Sequence, residues 1–174
     1  MTELLNGEEF RRLCETFEHS AFRLETRERY VDEEEQEPLR RFLAGEPPDD
    51  AWFMDWHKAV EQLVASGRRM ERVRVVSEPH SDYTRFGIDL ARRLNVPSGE
   101  DIRYLPRQRA MELDIPEEDF WLLDSGLVLI IHFDDDDMLM GAEPVTDPPE
   151  VDRRCQWRDV AWHYAIPLDD YAGA

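Results

Sequence analysis

The stretch from Val73 to Leu105 constrains the fold more than any other part of the chain. Val73-Arg74-Val75-Val76 is a β-branched run and predicts a strand. Ser81 and Asp82 can cap a helix that runs through Arg93, with Phe86, Leu90 and Leu94 facing inward. Asn95-Val96-Pro97-Ser98-Gly99 turns the chain, and Ile102-Arg103-Tyr104-Leu105 predicts a second strand, ended by Pro106. Strand, helix and strand within 33 residues form a βαβ unit, with parallel strands and a right-handed crossover. The fold class is therefore α/β (α+β), a central mixed β-sheet with helices packed around it.

The flanks fill in that frame. Asn6 with Glu9 three residues later signals a capped helix over about 7–17, with Phe10, Leu13, Cys14 and Phe17 at helical spacing. Residues 20–26 alternate as a strand, with Phe22 and Leu24 on one face. The acidic run 32–37 leads to Pro38, expected at the first position of a helix that stops at Gly45. After Pro47-Pro48, Asp49 or Asp50 can cap a helix over about 51–66, which carries Trp52, Phe53, Trp56, Val60, Leu63 and Val64. A short helix is expected near 107–112.

Residues 120–124 predict a third strand, followed by a two-residue hairpin turn at Ser125-Gly126. Leu127–Phe133 is almost unbroken apolar sequence, expected to be a central strand covered on both faces. Asp134–Asp137 turns into a further hairpin strand at 138–142. Pro148 or Pro149 opens a last helix to about Ala165, and the tail 168–174 is expected to be frayed or packed only through Tyr171. The chain reads as one domain over 1–174: a mainly helical part to residue 67, a sheet core over 68–145, and a C-terminal helix and tail.

Forty acids against 21 bases give a net charge of −19. That field repels nucleic acid and anionic lipid. No apolar run approaches the ~20 residues of a membrane span. The N-terminus lacks a basic-then-apolar signal pattern, so a cytoplasmic location is expected. Residues 68–109 depart from the trend, with ten Arg against six acids. Either this basic middle salt-bridges the acidic flanks, or it forms a pocket for an anion or an acidic peptide. Lys58 is the one lysine, so the bases are almost all Arg, suited to bidentate pairing with carboxylates. Cys14 and Cys155 lie far apart with no CxxC partner, which indicates neither a zinc site nor a disulfide framework.

Catalytic patterns fail one by one. The turn after the first βαβ strand, Ser77–Asp82, has no glycine and two acids, which excludes a dinucleotide or P-loop site. Neither Ser66 nor Ser98 stands in a GxSxG elbow. The five His show no HxxxH or HExxH spacing, and the consecutive Asp134–Asp137 lack the alternation of a calcium loop. A phospholipase-D-type frame would need HxK; His57 and Lys58 are adjacent, so that nucleophile is absent. No catalytic residue, metal or cofactor is expected. One candidate ligand site remains, because open α/β sheets bind ligands beyond the carboxyl ends of their strands. Its members are Arg72, Arg74, Tyr83, Arg85, Arg103, Tyr104, Trp121 and Asp124, with Glu100 and Asp119 to orient the guanidiniums and His19 nearby.

Several segments together resemble the DUF6879 family of uncharacterised actinobacterial proteins. They are His19-Ser20-Ala21-Phe22 with Leu24-Glu25 and Tyr30; Arg41–Glu46; Gly67-Arg68-Arg69 with Arg72–Val76; Asp82–Phe86; Gly99–Arg103; and Asp119–Asp124. The resemblance implies a cytoplasmic protein often encoded beside Xre-type helix-turn-helix regulators, and it brings no catalytic residues. Charge and resemblance together favour a non-enzymatic acidic accessory protein that binds another protein, with such a regulator as the expected partner. The acidic surfaces 32–37 and 134–137 would steer that encounter. The alternative is a small-ligand sensor or enzyme with an Arg-rich anion pocket on a degenerate phosphodiesterase frame.

Overall fold

The computed structural model describes residues 4–171. In chain order the elements are α1 (Gly7–Thr16), β1 (Ser20–Glu25), α2 (Glu33–Leu43), α3 (Met54–Ala65), β2 (Arg69–Val76), α4 (Asp82–Leu90), β3 (Asp101–Pro106), α5 (Arg107–Glu112), β4 (Phe120–Leu123), β5 (Leu127–Phe133), β6 (Leu139–Val145), α6 (Pro148–Tyr164) and β7 (Ile166–Pro167). A 3₁₀ turn at Ala51–Phe53 leads into α3, and a π turn at Ala91–Asn95 continues α4. The strands form one mixed sheet in the order β6-β5-β4-β1-β2-β3-β7. β1, β2 and β3 are parallel, and the other pairings are antiparallel. No helix among the described residues is long and apolar enough to cross a membrane.

Local chemistry sets most boundaries. Asn6 and Glu9 form a reciprocal capping box at the start of α1. Ser81 accepts the amide of Thr84 and opens α4 as expected. The βαβ unit of β2, α4 and β3 is present with parallel strands. α2 starts earlier than the sequence reading: Asp32 caps it by accepting the amide of Glu34 at 2.8 Å, and Pro38 lies inside the helix. The acidic residues are thus its first turn, where they complement the helix dipole. Pro38 removes only one intrahelical hydrogen bond there, which the cap and dipole offset.

Alternation along each strand sorts the side chains into two layers. Phe22, Leu24, Val73, Val75, Leu105, Phe120 and Leu122 meet α5 and α6 through Ala110, Val151, Ala161 and Ala165. The opposite face packs at one end under α1 and α3, where Ala21, Met70, Trp121 and Leu123 meet Cys14, Phe17, Val60 and Leu63. Toward the β3 side Val76, Ile102 and Tyr104 meet Ile88 and Ala91.

Three expectations for the C-terminal half are corrected. β5 lies beside the edge strand β6, and only Val128 and Leu129 on it are fully buried, so it is not a central strand covered on both faces. Its turn from β4 takes three residues, since Leu123 pairs with Leu127. The tail, which follows the pairing of β7 with β3, is packed through more than Tyr171: Leu168 is buried as well. The Tyr171 ring stacks on Tyr104 at 5.1 Å and 11°. The expected fraying of residues 172–174 lies outside the described residues.

Gly99 ends the turn before β3 at φ +105°, and a Cβ there would stand 2.9 Å from Val64 Cγ1. Gly99→Ala is expected to destabilise the fold by about 1–3 kcal/mol in urea titration. Gly126→Ala is the control: its nearest neighbour would be 3.8 Å away, and the change should stay within about 0.5 kcal/mol.

Candidate functional site

Between the two apolar patches on the α1–α4 face, the inward positions of β1 and β2 are charged. Parallel pairing sets Arg23 opposite Arg72 and Glu25 opposite Arg74. Glu25 holds the group together. One carboxylate oxygen takes Arg23 Nη2 at 2.9 Å and Arg72 Nη1 at 3.3 Å, and the other takes Arg74 Nη1 at 2.9 Å. Arg72 also reaches Glu100 at 2.7 Å, and Glu100 accepts from Asn95 Nδ2 at 2.9 Å. Glu25 is 3% exposed and Glu100 2%. Burial alone would raise the Glu25 pKa, but the charges of Arg23, Arg72 and Arg74 outweigh it and hold the carboxyl well below the usual range.

Above this charged floor lies a cavity of about 240 Å³. Its floor is Arg23, Glu25, Arg72, Arg74 and Tyr104, and its side walls include Phe10, Trp56, Trp121, Phe86 and Phe133. Tyr30, Asp32, Glu35 and Tyr83 close it from the loop, α2 and α4. The Arg74 guanidinium lies between two rings, 5.2 Å from the Tyr30 centroid and 5.5 Å from that of Tyr83. Its Nε and Nη2 are shut from solvent and have no hydrogen-bond partner. Tyr83 donates its hydroxyl to Glu35 Oε2 at 2.7 Å, and Tyr30 donates its own to Asp119. Burial, with Asp32 and Glu25 nearby, pushes the Glu35 pKa up against the opposing hydrogen bond from Tyr83 and the charge of Arg74. Burial pushes the Tyr104 hydroxyl up to about 12.

The predicted cluster divides. Arg72, Arg74, Tyr83, Tyr104 and Trp121 line the cavity, and Glu100 anchors its floor from behind. Arg103 does not reach it. It alternates with Ile102 and Tyr104, so it faces the other side of the sheet, 3.8 Å from the Trp162 ring centroid. Arg85 is on the solvent side of α4, paired with Asp82, because Tyr83 and Phe86 take the inward positions. Asp124 is a backbone clamp, accepting the amides of Glu18, His19 and Ser20 at 2.7–2.9 Å. Partial burial opposes its charge, but those three amides hold its pKa below the usual range. His19 enters only through that amide; its side chain is 80% exposed. Asp119, expected to orient a guanidinium, instead accepts from Thr26 and Tyr30.

Sequence reasoning missed Arg23, Glu25, Tyr30 and Glu35. The signal was present as Arg23-x-Glu25 and Arg72-x-Arg74, charges at alternate positions of strands that otherwise read as interior. The remaining polar candidates are engaged elsewhere. Asp137 binds Arg27 and Arg29, and His132 meets Glu143 across the β5–β6 pair at 2.9 Å. Burial pushes the Cys14 thiol up to about 12, far from a reactive thiolate.

The model of DUF6879, a domain of unknown function, matches residues 8–173. The chain belongs to that family. The match covers every residue that lines the cavity, so the charged floor lies wholly within the DUF6879 region. No curated protein matches the chain.

Two carboxyls in this DUF6879 cavity should respond oppositely to pH. Glu25, with a lowered folded pKa, contributes its full stability above the unfolded-chain value of about 4.3 and loses it as pH falls through the folded value. Glu35, with a raised folded pKa, favours the fold fully only below that unfolded value and loses this as pH rises through the folded one. Glu35→Gln keeps an acceptor for Tyr83 and should raise Tm at pH 7, with the gain vanishing below about pH 4. Glu25→Gln leaves Arg23 and Arg74 without an ion partner, while Arg72 keeps Glu100, and should cost about 3–5 kcal/mol at pH 7 in denaturant unfolding.

Proposed function

We propose that the protein is a non-enzymatic binding domain that takes a small organic anion into the cavity between its sheet and helices α2–α4. One observation carries this reading. Arg74 is more than nine-tenths buried, lines the cavity, and keeps two N–H groups without an acceptor. Buried polar donors are nearly always satisfied, so an orphaned guanidinium edge beside a cavity marks a place for an acceptor from outside the chain. The cavity also has the usual make-up of a ligand site, aromatic walls with a few convergent charges.

The acidic exterior supports a second role on the same protein, contact with a basic partner. The net charge is −19, and Glu33, Glu34 and Glu37 of α2 are exposed. The partner expected from the family resemblance is a helix-turn-helix regulator, and such a contact would weaken steeply with salt. α2 would join the two roles, since its Glu35 faces the cavity while these carboxylates face outward.

A thermal-shift screen of small organic anions, each beside its neutral isostere, tests the binding reading. At a concentration of about 100 Kd a true ligand adds about 2.7 kcal/mol. For a chain of this size that is a Tm rise of about 5–10 °C. Arg74→Met should abolish the rise. A screen in which no anion outperforms its neutral isostere overturns the reading.

A further inference from the structure

The cavity's charges, size and walls narrow the ligand. On the strand floor the guanidiniums of Arg23, Arg72 and Arg74 face the carboxylates of Glu25 and Glu100, which leaves one uncompensated positive charge. Asp32 and Glu35 stand on the helix side. A dianion such as a phosphate monoester would place a second negative charge among Glu25, Glu35 and Asp32 with no cation left to meet it. A monoanion matches the single excess charge of the floor, since Asp32 is exposed to solvent that screens it and burial pushes Glu35 toward neutrality. The guanidinium edge matches a carboxylate in shape, presenting two parallel N–H groups to two oxygens.

Two arginines can offer such an edge. Arg72 is spent on Glu25 and Glu100. Arg23 makes one ion pair among the described residues, to Glu25, and its side chain is a quarter exposed. Its guanidinium carbon lies 5.4 Å from the Trp121 ring centroid, so a group on Arg23 sits beside an aromatic wall. Arg74 offers Nε and Nη2, covered at present by the rings of Tyr30 and Tyr83. Tyr30 is fixed by Asp119, whereas Tyr83 is held by Glu35 on α2, a helix with no fully buried residue. Tyr83 is the ring that can move aside.

The volume sets the size. About 240 Å³ falls just below the range of roughly 300–1,000 Å³ for drug-sized ligands. It suits a single ring with a short arm. Trp121, Trp56 and Phe86 offer faces and edges against which a flat ring packs well.

We propose that the ligand is a planar aromatic monocarboxylate whose carboxylate docks between Arg23 and Arg74 and whose ring lies against Trp121. The assignment rests on the binding reading above and adds the chemical class and the docking residues. Binding gives the free N–H groups of Arg74 their acceptor and frees Tyr83 from Glu35.

Titration of the full chain with benzoate, benzamide and phenyl phosphate tests it, read by calorimetry and by tryptophan fluorescence. Benzoate should bind one to one and saturate the fluorescence change, with benzamide and phenyl phosphate each at least about tenfold weaker, a gap of about 1.4 kcal/mol. Arg23→Met and Arg74→Met should each weaken benzoate by at least about tenfold. Arg23→Met guards against a folding defect, because Glu25 keeps Arg72 and Arg74 in that variant; circular dichroism confirms the fold of both. Tyr83→Phe, which keeps the ring and loses its bond to Glu35, should speed association. Benzamide binding as tightly as benzoate, or benzoate indifferent to both arginine substitutions, overturns the proposal. Phenyl phosphate binding without benzoate overturns the carboxylate assignment and leaves the anion cavity standing. Silence from all three probes overturns the aromatic monocarboxylate, and only silence across the wider anion screen removes the cavity reading as well.

Discussion

Three guanidiniums converge on the carboxylate of Glu25, and the α1–α4 side of the protein is arranged around that convergence. Parallel pairing of β1 and β2 puts Arg23 directly beside Arg72, a like-charge neighbourhood that would drive the strands apart. Glu25, opposite Arg74 one step further along, touches all three arginines and makes the register tolerable. The same step fixes which face the charges occupy. A one-residue slip would send them into the apolar layer against α6 and bring Leu24 and Val73 to the charged side. The ion cluster and the hydrophobic layer therefore specify one register from opposite faces of the sheet.

The cavity follows from the cluster. A floor of charged groups cannot be sealed by leucines without stranding ions in an apolar medium. The helices above it accordingly contribute mixed side chains. α4 brings Tyr83 and Phe86, and α2 brings Glu35, while α2 itself buries no residue completely. Tyrosines suit this position because a ring face can lie on a guanidinium while the hydroxyl reaches a carboxylate. Tyr30 and Tyr83 both do so, through Asp119 and Glu35. Ion clusters of this kind do not stabilise folds better than apolar packing of equal volume. Stability alone therefore leaves the cluster, and the two unsatisfied N–H groups of Arg74, without a reason.

Much of the architecture was legible because it rests on local signals. The capping box at Asn6, the cap at Ser81 and the β-branched run before it each act within a few residues, and the βαβ unit follows from their order. The start of α2 was misplaced because Pro38 is a strong marker of a first helical position, yet the cap at Asp32 had already nucleated the helix. β5 was read as central because an apolar run records burial by side chains, not place in the sheet. The site was legible only in part. Arg72, Arg74, Tyr83, Tyr104 and Trp121 were found by residue type and position near strand ends. Arg103 was placed on the wrong face although the alternation of β3 opposes it to Tyr104. Glu25 and Arg23 became part of the site only through long-range pairing with β2, and Glu35 only through the docking of α2 over α4. The alternating charges stand in the sequence, but which strand and which helix they meet does not.

The titration behaviour of these groups argues for binding over proton chemistry. A general acid or base works best with a pKa near the operating pH. Burial opposes charge on Arg72 and Arg74, but Glu25 beside both, and Glu100 beside Arg72, keep the guanidiniums protonated, and the arginines keep Glu25 ionised. The hydroxyls of Tyr30, Tyr83 and Tyr104 are all raised by burial and stay protonated. Glu35 is the cavity carboxyl moved toward neutrality, and it faces Tyr83, which has no proton to spare near pH 7. Apart from Glu35, the charges of the site are fixed near neutral pH, so the proposed ligand would meet a nearly constant electrostatic surface. Recognition of an anion asks for no more than that: donors held in place, a desolvated floor with one positive charge in excess, and flat walls that exclude water around it.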